Sequence, residues 1–396
     1  MPTDDPLPPA YPLAGWAERQ VGLFRTLTGA PALRDLRGAG LLVERAAVNG
    51  FAVPGTVSAG GGCSLLRARD GWVALNLARE DDRALLPALF LDESLDPASD
   101  GAIAAAIRRR DGHALVARGR EMGLAMACLD EDRRSPAVAL ACEGRRREQP
   151  SSGRPLVIDL SALWAGPLAG HLLWMAGARV VKVESSGRPD AMRDGDPALF
   201  ALLNQGKANV ALDLKTAAGR DALITLLARA HIVIEAARPR ALRQLGIDAE
   251  ALVRSVPGLA WVTITGHGVD GDAADWVGFG DDCGVAGGLS AALRDVTGLP
   301  GFVGDAIADP LTGLIAARSA WEQWASGTGA RLILSMSGIV RAAMEEEQAR
   351  DGAAFEESLR GWASRRGQPI ATGAARSPRA PVTAMGADNE AWLAPC

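Results

Sequence analysis

Leu156-Val157-Ile158-Asp159-Leu160, followed by Ala165-Gly166-Pro167-Leu168-Ala169-Gly170 and then Arg179-Val180-Val181-Lys182-Val183-Glu184, is the stretch that decides the fold. The two outer runs are short, apolar and rich in β-branched residues, which suits strands buried on both faces. The segment between them carries an apolar helix behind a tight, glycine-containing turn. Similar runs recur at Asn209 to Asp213, His231 to Glu235 and Leu259 to Thr265. Separations of roughly 20 to 30 residues suit βαβ crossovers, so the expectation is an α/β fold with a doubly wound, parallel, Rossmann-like large domain. Thr216 to Ala230 makes the best intervening helix, with Thr216 as its cap and Leu223, Leu226 and Leu227 on one face. The first strand leads into Ala165-Gly166-Pro167 instead of GxGxxG, which counts against a dinucleotide site.

Leu160 to Ala178 carries no formally charged side chain, a length that raises the question of a membrane span. Pro167, His171 and the glycines at 166, 170 and 177 interrupt it, so it reads as a strand end, a turn and a helix, and no membrane partner is expected.

A chain of 396 residues is long enough for two or three compact units, and 48% hydrophobic with 22% charged residues fits a globular protein. A formal charge of -5 excludes a basic surface covering the whole molecule, so no nucleic-acid partner is expected and any anionic ligand must be met by a local site. The five cysteines (Cys63, Cys128, Cys142, Cys283, Cys396) form no CxxC pair and have no histidine near them in sequence. Neither a metal site nor a disulfide framework is indicated, and a reducing cytoplasm is the expected home. Met1-Pro2-Thr3-Asp4-Asp5 lacks the basic start and apolar core of a signal peptide.

Residues 1–145 read as a smaller α+β domain, with a strand at Gly71 to Leu77 and helices at Asp81 to Phe90, Ala102 to Arg110 and Gly112 to Met122. Glu143 to Gly153 has linker composition, the large domain occupies 154–345, and 346–396 is expected as a mobile or surface-running tail. Within the first unit, Ala59-Gly60-Gly61-Gly62-Cys63 precedes the strand; three consecutive glycines serve a plain flexible loop or one that opens and closes.

Ala308-Asp309-Pro310-Leu311-Thr312-Gly313 is a complete helix-start signature, with Asp309 as cap and Pro310 at the first helical position. A carboxylate there also suits a nucleophile, because free N–H groups at a helix start favour its ionised form. Lys207 and Lys215 flank a strand near the carboxyl edge of the sheet, and Arg238, Arg240 and Arg243 cluster after the next one. They are either phosphate ligands or ordinary solvated charges.

Together these residues resemble the family III CoA-transferases, the group that includes formyl-CoA, carnitine and bile-acid CoA-transferases. The resemblance runs in order through Val157 to Ser161 with Ala165-Gly166-Pro167, Gly177 to Glu184, Asn204 to Lys207, Leu212 to Thr216, Ile234-Glu235, Leu245-Gly246, Gly266 to Gly271, Ala308 to Gly313 and Gly327 to Met336. It implies that Asp309, in its D-x-x-x-G context with Gly313, is a nucleophile forming an acyl anhydride and then a CoA thioester. Gly60, Gly61 and Gly62 resemble the family's catalytic glycine-rich lid. CoA is implied to contact the backbone around Leu163, Trp164 and Ala165, with Leu212, Lys215, Arg238 and Arg243 as further binding residues. No permanently bound cofactor is implied, only coenzyme A thioester as substrate. The implied partners are an acyl-CoA, a carboxylic acid and a second copy of the chain in an interlocked homodimer.

The family's small domain usually follows the Ser-Met helix, whereas the matching residues here precede the large domain; a circular permutation, or a remnant of a duplicated copy, is implied. Pro381 to Leu393 resembles the family's C-terminal end returning to the large domain. Relatives carry Asn-Phe where this chain has Ala236-Ala237, and an arginine where it has Gln244. A non-catalytic CoA- or nucleotide-binding protein is therefore one alternative, and a 2-methylacyl-CoA racemase-like enzyme is another. The related 2-methylacyl-CoA racemases place a histidine where Gly278-Phe279-Gly280-Asp281-Asp282 has none, and Asp281 and Asp282 read as caps. His267, in a glycine-rich turn after the last strand, reads either as a substrate contact or as an ordinary loop residue.

Overall fold

The computed structural model describes residues 11–132, 135–148, 153–237 and 239–393. Two helices open the chain, α1 (Ala14–Thr28) and α2 (Gly38–Asn49). A small unit follows, with strands β1 (Cys63–Arg67) and β2 (Trp72–Asn76), helices α3 (Leu86–Phe90), α4 (Asp100–Arg108) and α5 (Gly112–Glu121), and strand β3 (Ala125–Cys128). Strand β4 (Val138–Arg146) leads to β5 (Leu156–Asp159), α6 (Ala165–Met175), β6 (Arg179–Ser185), α7 (Met192–Gly195), α8 (Pro197–Asn204) and β7 (Ala208–Leu212). The chain continues through α9 (Ala217–Ala228), β8 (Ile232–Glu235), α10 (Pro239–Gln244), α11 (Ala249–Ser255), β9 (Ala260–Thr265), α12 (Gly280–Ala286) and α13 (Leu289–Thr297). It ends with α14 (Ala308–Ser326), β10 (Thr328–Ser335), α15 (Met336–Ser364) and α16 (Asn389–Leu393).

The large sheet runs β4-β10-β9-β8-β5-β6-β7. Counted from β5, its parallel strands stand in the order 3-2-1-4-5-6, the doubly wound arrangement, and the order reverses between β5 and β8. Period-two alternation feeds two cores. Val157, Val180, Ile232 and Val262 face one core, built with α6, α14 and α15, while Ile158, Val181, Val233 and Trp261 face another, with Leu223, Leu226 and Leu227 of α9. Thr216 caps α9 as expected, accepting the Gly219 N–H at 3.1 Å.

Three expectations change. The sheet is not wholly parallel: β4 lies antiparallel on β10, so Glu143 to Arg146, read as linker from composition, belong to an edge strand. Trp16, Phe24, Leu41 and Leu42 of α1 and α2 pack into the core of the large sheet, not into the small unit. Finally, the segment read as tail continues α15 to Ser364 past a break at Asp351, because Phe355, Leu359 and Trp362 form a buried stripe that the alanine- and arginine-rich composition hides. Farther on, Asn389 bonds both the N–H (2.9 Å) and the carbonyl (3.0 Å) of Ala211, covering the β7 edge.

The antiparallel sheet β1-β2-β3 uses its two faces differently. Val73, Leu75 and Met126 pack on α3, α4 and α5, whereas Leu65, Ala74 and Ala127 pack on Val285 and Ala286 of α12. This second face brings the glycine loop preceding β1 against the large unit. No helix among the described residues is long and apolar enough to cross a membrane.

Candidate active site

Asp309 lies in the first turn of α14 but does not cap it. Ile307 occupies the cap position and makes no side-chain cap bond, so Asp309 is the second helical residue and its carboxylate is free for other partners. The chain enters the helix through two left-handed residues, Gly304 (φ 82°) and Ala306 (φ 42°). The second is a costly conformation for a residue with a side chain. Asp281 secures it by accepting the Ala306 N–H at 3.1 Å, while the Ala306 carbonyl accepts the Asp309 N–H at 2.9 Å.

The Asp309 carboxylate faces the backbone N–H of Ala165, at the start of α6, which favours its ionised form. Gly313, one turn along α14, makes that contact possible: a side chain there would stand 2.7 Å from the Ala165 carbonyl and 2.9 Å from Leu168. The D-x-x-x-G spacing therefore has a packing reason, independent of any catalytic role. On its other side Asp309 meets Gly280, where a side chain would stand 2.2 Å from Oδ2 and 2.4 Å from the Ala306 carbonyl.

Arg45 of α2 supplies the nearby positive charge. It grips Asp305 with both Nε (3.0 Å) and Nη2, and its guanidinium lies 5.2 Å from the Trp164 ring and 5.5 Å from that of Phe51. The glycine loop sits directly on it, because a side chain at Gly60 would stand 2.9 Å from Arg45 Nη2. Gly61 needs its glycine for φ 76°, and the Ser58 hydroxyl at the base of the loop accepts the Cys63 N–H at 3.1 Å and favours the ionised form of Asp281.

Three carboxylates thus share one guanidinium. Burial pushes Asp309 up to about 7; Arg45 opposes the rise, and the charge of Asp281 adds to it. Burial, reinforced by Asp305, pushes Asp281 up to about 6, and burial raises Asp305 against the pull of Arg45. Such a carboxylate is poised between its acid and its ionised form near neutrality.

The loop at the sheet's switch point is equally constrained. Leu163 is left-handed (φ 68°) and 38% exposed, and its N–H is held by Asp190 at 3.1 Å. Lys182 fixes Asp190 (2.9 Å) and the Ser161 carbonyl (2.9 Å), and Trp164 is buried. Lys207 is not a surface phosphate ligand. It is buried, with Nζ donating to Asp159 (2.8 Å), Asn204 (3.0 Å) and the Pro167 carbonyl (2.9 Å).

Asp309, Gly60, Trp164 and Ala165 are therefore brought together around Arg45. Leu212 ends β7, two strands from β5, with Lys215 exposed beyond it; Arg243 is exposed in α10; Gly62 borders Ala78 and its carbonyl accepts the Leu77 N–H at 2.8 Å; and Arg238 lies outside the described residues. Asp282 does cap its helix, accepting the Phe279 N–H at 3.0 Å, whereas Asp281 serves Ala306 instead. Arg45 and Asp305 are additions that sequence reasoning missed.

A model of CoA-transferase family III matches residues 155–368. The chain belongs to this family. Among its relatives, the succinyl-CoA–D-citramalate CoA-transferase of Chloroflexus aurantiacus is 31% identical over 211 residues, covering 48% of this chain and 52% of that protein. The succinate–glutarate CoA-transferase of Agrobacterium fabrum is 34% identical over 181 residues, covering 42% and 45%. A CAIB/BAIF family protein from Brucella suis superposes with a TM-score of 0.42 at 29% identity, covering 50% of this chain and 57% of that one. The chain spans about half the length of these curated relatives. The family match begins at β5 and stops within the segment after α15, so the glycine loop and Arg45 lie ahead of it.

Proposed function

We propose that the protein is an acyl-CoA:carboxylate CoA-transferase with Asp309 as nucleophile. The observation that carries this reading is the Asp309 carboxylate itself, freed from capping and set beside Arg45 and the Ala165 N–H. Its ionised oxygen attacks the thioester carbonyl of the donor, CoA leaves as thiolate, and an aspartyl anhydride forms. The thiolate then attacks the Asp309 carbonyl, releasing the donor acid and leaving an aspartyl-CoA thioester. The acceptor carboxylate displaces CoA to form a second anhydride. CoA reopens it at the acceptor carbonyl, which restores Asp309 with no net proton change.

In this reading Gly60, Gly61 and Gly62 shield the anhydride from water. Leu163, Trp164 and Ala165 contact CoA through their backbone, and Leu212, Lys215, Arg238 and Arg243 extend that site. The small unit is the family's small domain moved ahead of the large one, the assembly is a homodimer, and the cytoplasm is its compartment.

The test is CoA exchange between a panel of acyl-CoAs and isotopically labelled carboxylic acids, run with wild type and Asp309→Ala. Exchange that depends on Asp309 supports the proposal. Equal exchange in the two proteins, or none with any pair while CoA still binds, would favour a non-catalytic binding role.

A further inference from the structure

Sequence spacing gives no metal signal, because His267 lies in the turn after β9 while Asp282 and Cys283 lie in the first turn of α12. A glycine-to-glycine approach closes that separation. A side chain at Gly266 would stand 2.9 Å from the Gly278 Cα, so the two segments touch backbone to backbone. At the same place a side chain on Gly278 would stand 2.5 Å from Cys283 Sγ and 3.1 Å from His267 Nε2, so both atoms converge on one bare Cα.

We propose that His267, Asp282 and Cys283 form a site for a borderline-soft divalent metal ion, with Zn2+ as the best match. All three residues are buried, and one ligand atom from each lies within 4.8 Å of the others. Asp282 Oδ2 is 3.9 Å from Cys283 Sγ. Zinc bonds of about 2.0–2.3 Å require ligand atoms roughly 3.3–3.8 Å apart, so closing the site takes shifts of about 1 Å or less. One nitrogen, one thiolate and one carboxylate make a donor set that suits Zn2+ better than Mg2+ or Ca2+, which prefer all-oxygen shells.

The surroundings already orient the ligands. Asp282 Oδ1 is occupied by the Asn76 amide (3.0 Å) and the Phe279 N–H (3.0 Å), leaving Oδ2 toward the thiol. The His267 ring stands edge-on to Trp276 at 5.8 Å. Such supporting contacts are what fix metal-ligand geometry. Charge agrees as well: among the described residues Asp282 makes no ion pair, and a thiolate plus a carboxylate neutralise a divalent ion. Ligation replaces the thiol's contact with the Gly266 carbonyl, now 3.4 Å away, and ties the β9 turn to the helix start beside Gly280 and Asp309.

The experiment is titration of chelator-treated full-length protein with Co2+, followed by Zn2+ displacement. The expected result is a thiolate-to-cobalt charge-transfer band that saturates at one equivalent and is abolished by Zn2+. Cys283→Ser should remove the band, His267→Gln should weaken Co2+ binding by at least about tenfold, and Cys142→Ser, in β4, should leave it unchanged. Zn2+ should raise the melting temperature of wild type but not of His267→Gln, a readout independent of activity. Absence of the band in wild type, its persistence in Cys283→Ser, an unchanged Co2+ affinity in His267→Gln, or loss of the band in Cys142→Ser would overturn the proposal. Circular dichroism identifies a variant that has failed to fold, and the remaining ligand variant then decides.

Discussion

Gly280 and Asp309 are in direct contact: a single methyl group on Gly280 would stand 2.2 Å from the Asp309 carboxylate and 2.4 Å from the Ala306 carbonyl. The second of these is backbone and cannot swing aside. Gly280→Ala is expected to displace Asp309 and the strained Ala306 together. Misplacement by about 1 Å costs roughly a hundredfold in rate, so kcat should fall by about that factor while CoA binding persists. Steady-state kinetics with equilibrium binding checks this, and an unchanged kcat would show that Asp309 is not held by that contact.

Arg45 favours the ionised form of Asp309, whose carboxyl is pushed up to about 7. Transferase activity that needs the carboxylate should therefore rise with pH through about 7. Arg45→Met alone would strand Asp305, so the informative variant is Arg45→Met with Asp305→Asn. Because Arg45 opposes the rise more than Asp305 adds to it, the activity limb should move to higher pH, with a several-fold loss at pH 6 that shrinks at pH 9. A pH–rate profile of kcat/KM measures the shift.

The same burial has a stability consequence of defined sign. A carboxyl raised to about 7 in the folded protein from 3.8 binds protons that the unfolded chain does not. Its contribution is fully present below pH 4 and is lost as pH rises through 7. Asp309→Asn removes the ionisation, so the variant should melt a few degrees higher than wild type at pH 8, with the gap closing toward pH 5. Thermal unfolding across that range tests it; a lower melting temperature at pH 8 would contradict it.

Lys207 holds Asp159, Asn204 and the Pro167 carbonyl in a buried cluster under the first turn of α6. Removing one partner of a buried ion pair typically costs about 3–5 kcal/mol. Lys207→Met is expected to lose stability on that scale in urea titration. Lys215→Met, at an exposed position, should stay within about 0.5 kcal/mol of wild type.

Much of the fold was legible because strands buried on both faces announce themselves: Leu156 to Asp159 and Ile232 to Glu235 can hardly be anything else. Strand β4 was not legible, since an edge strand of exposed, charged residues looks like linker. At the site, the motif around Asp309 was visible but misread by two residues, because nothing local reveals that Ala306 turns left-handed and moves the cap to Ile307. Arg45 could not be found at all from local pattern: it meets Asp305 across 260 residues, and an arginine in an amphipathic helix reads as surface. His267 was hidden in the same way, its burial following from a close backbone approach between distant glycines.

The most direct test of the central claim is chemical trapping of the acyl-enzyme. Wild-type protein is incubated with a reactive acyl-CoA, quenched with hydroxylamine and digested, and the modified residue is mapped by mass spectrometry. The account predicts an aspartyl hydroxamate at Asp309, formed only when acyl-CoA is present and absent from Asp309→Asn. A hydroxamate at another carboxylate, such as Asp281 or Asp305, or turnover with no trapped residue at Asp309, would contradict it.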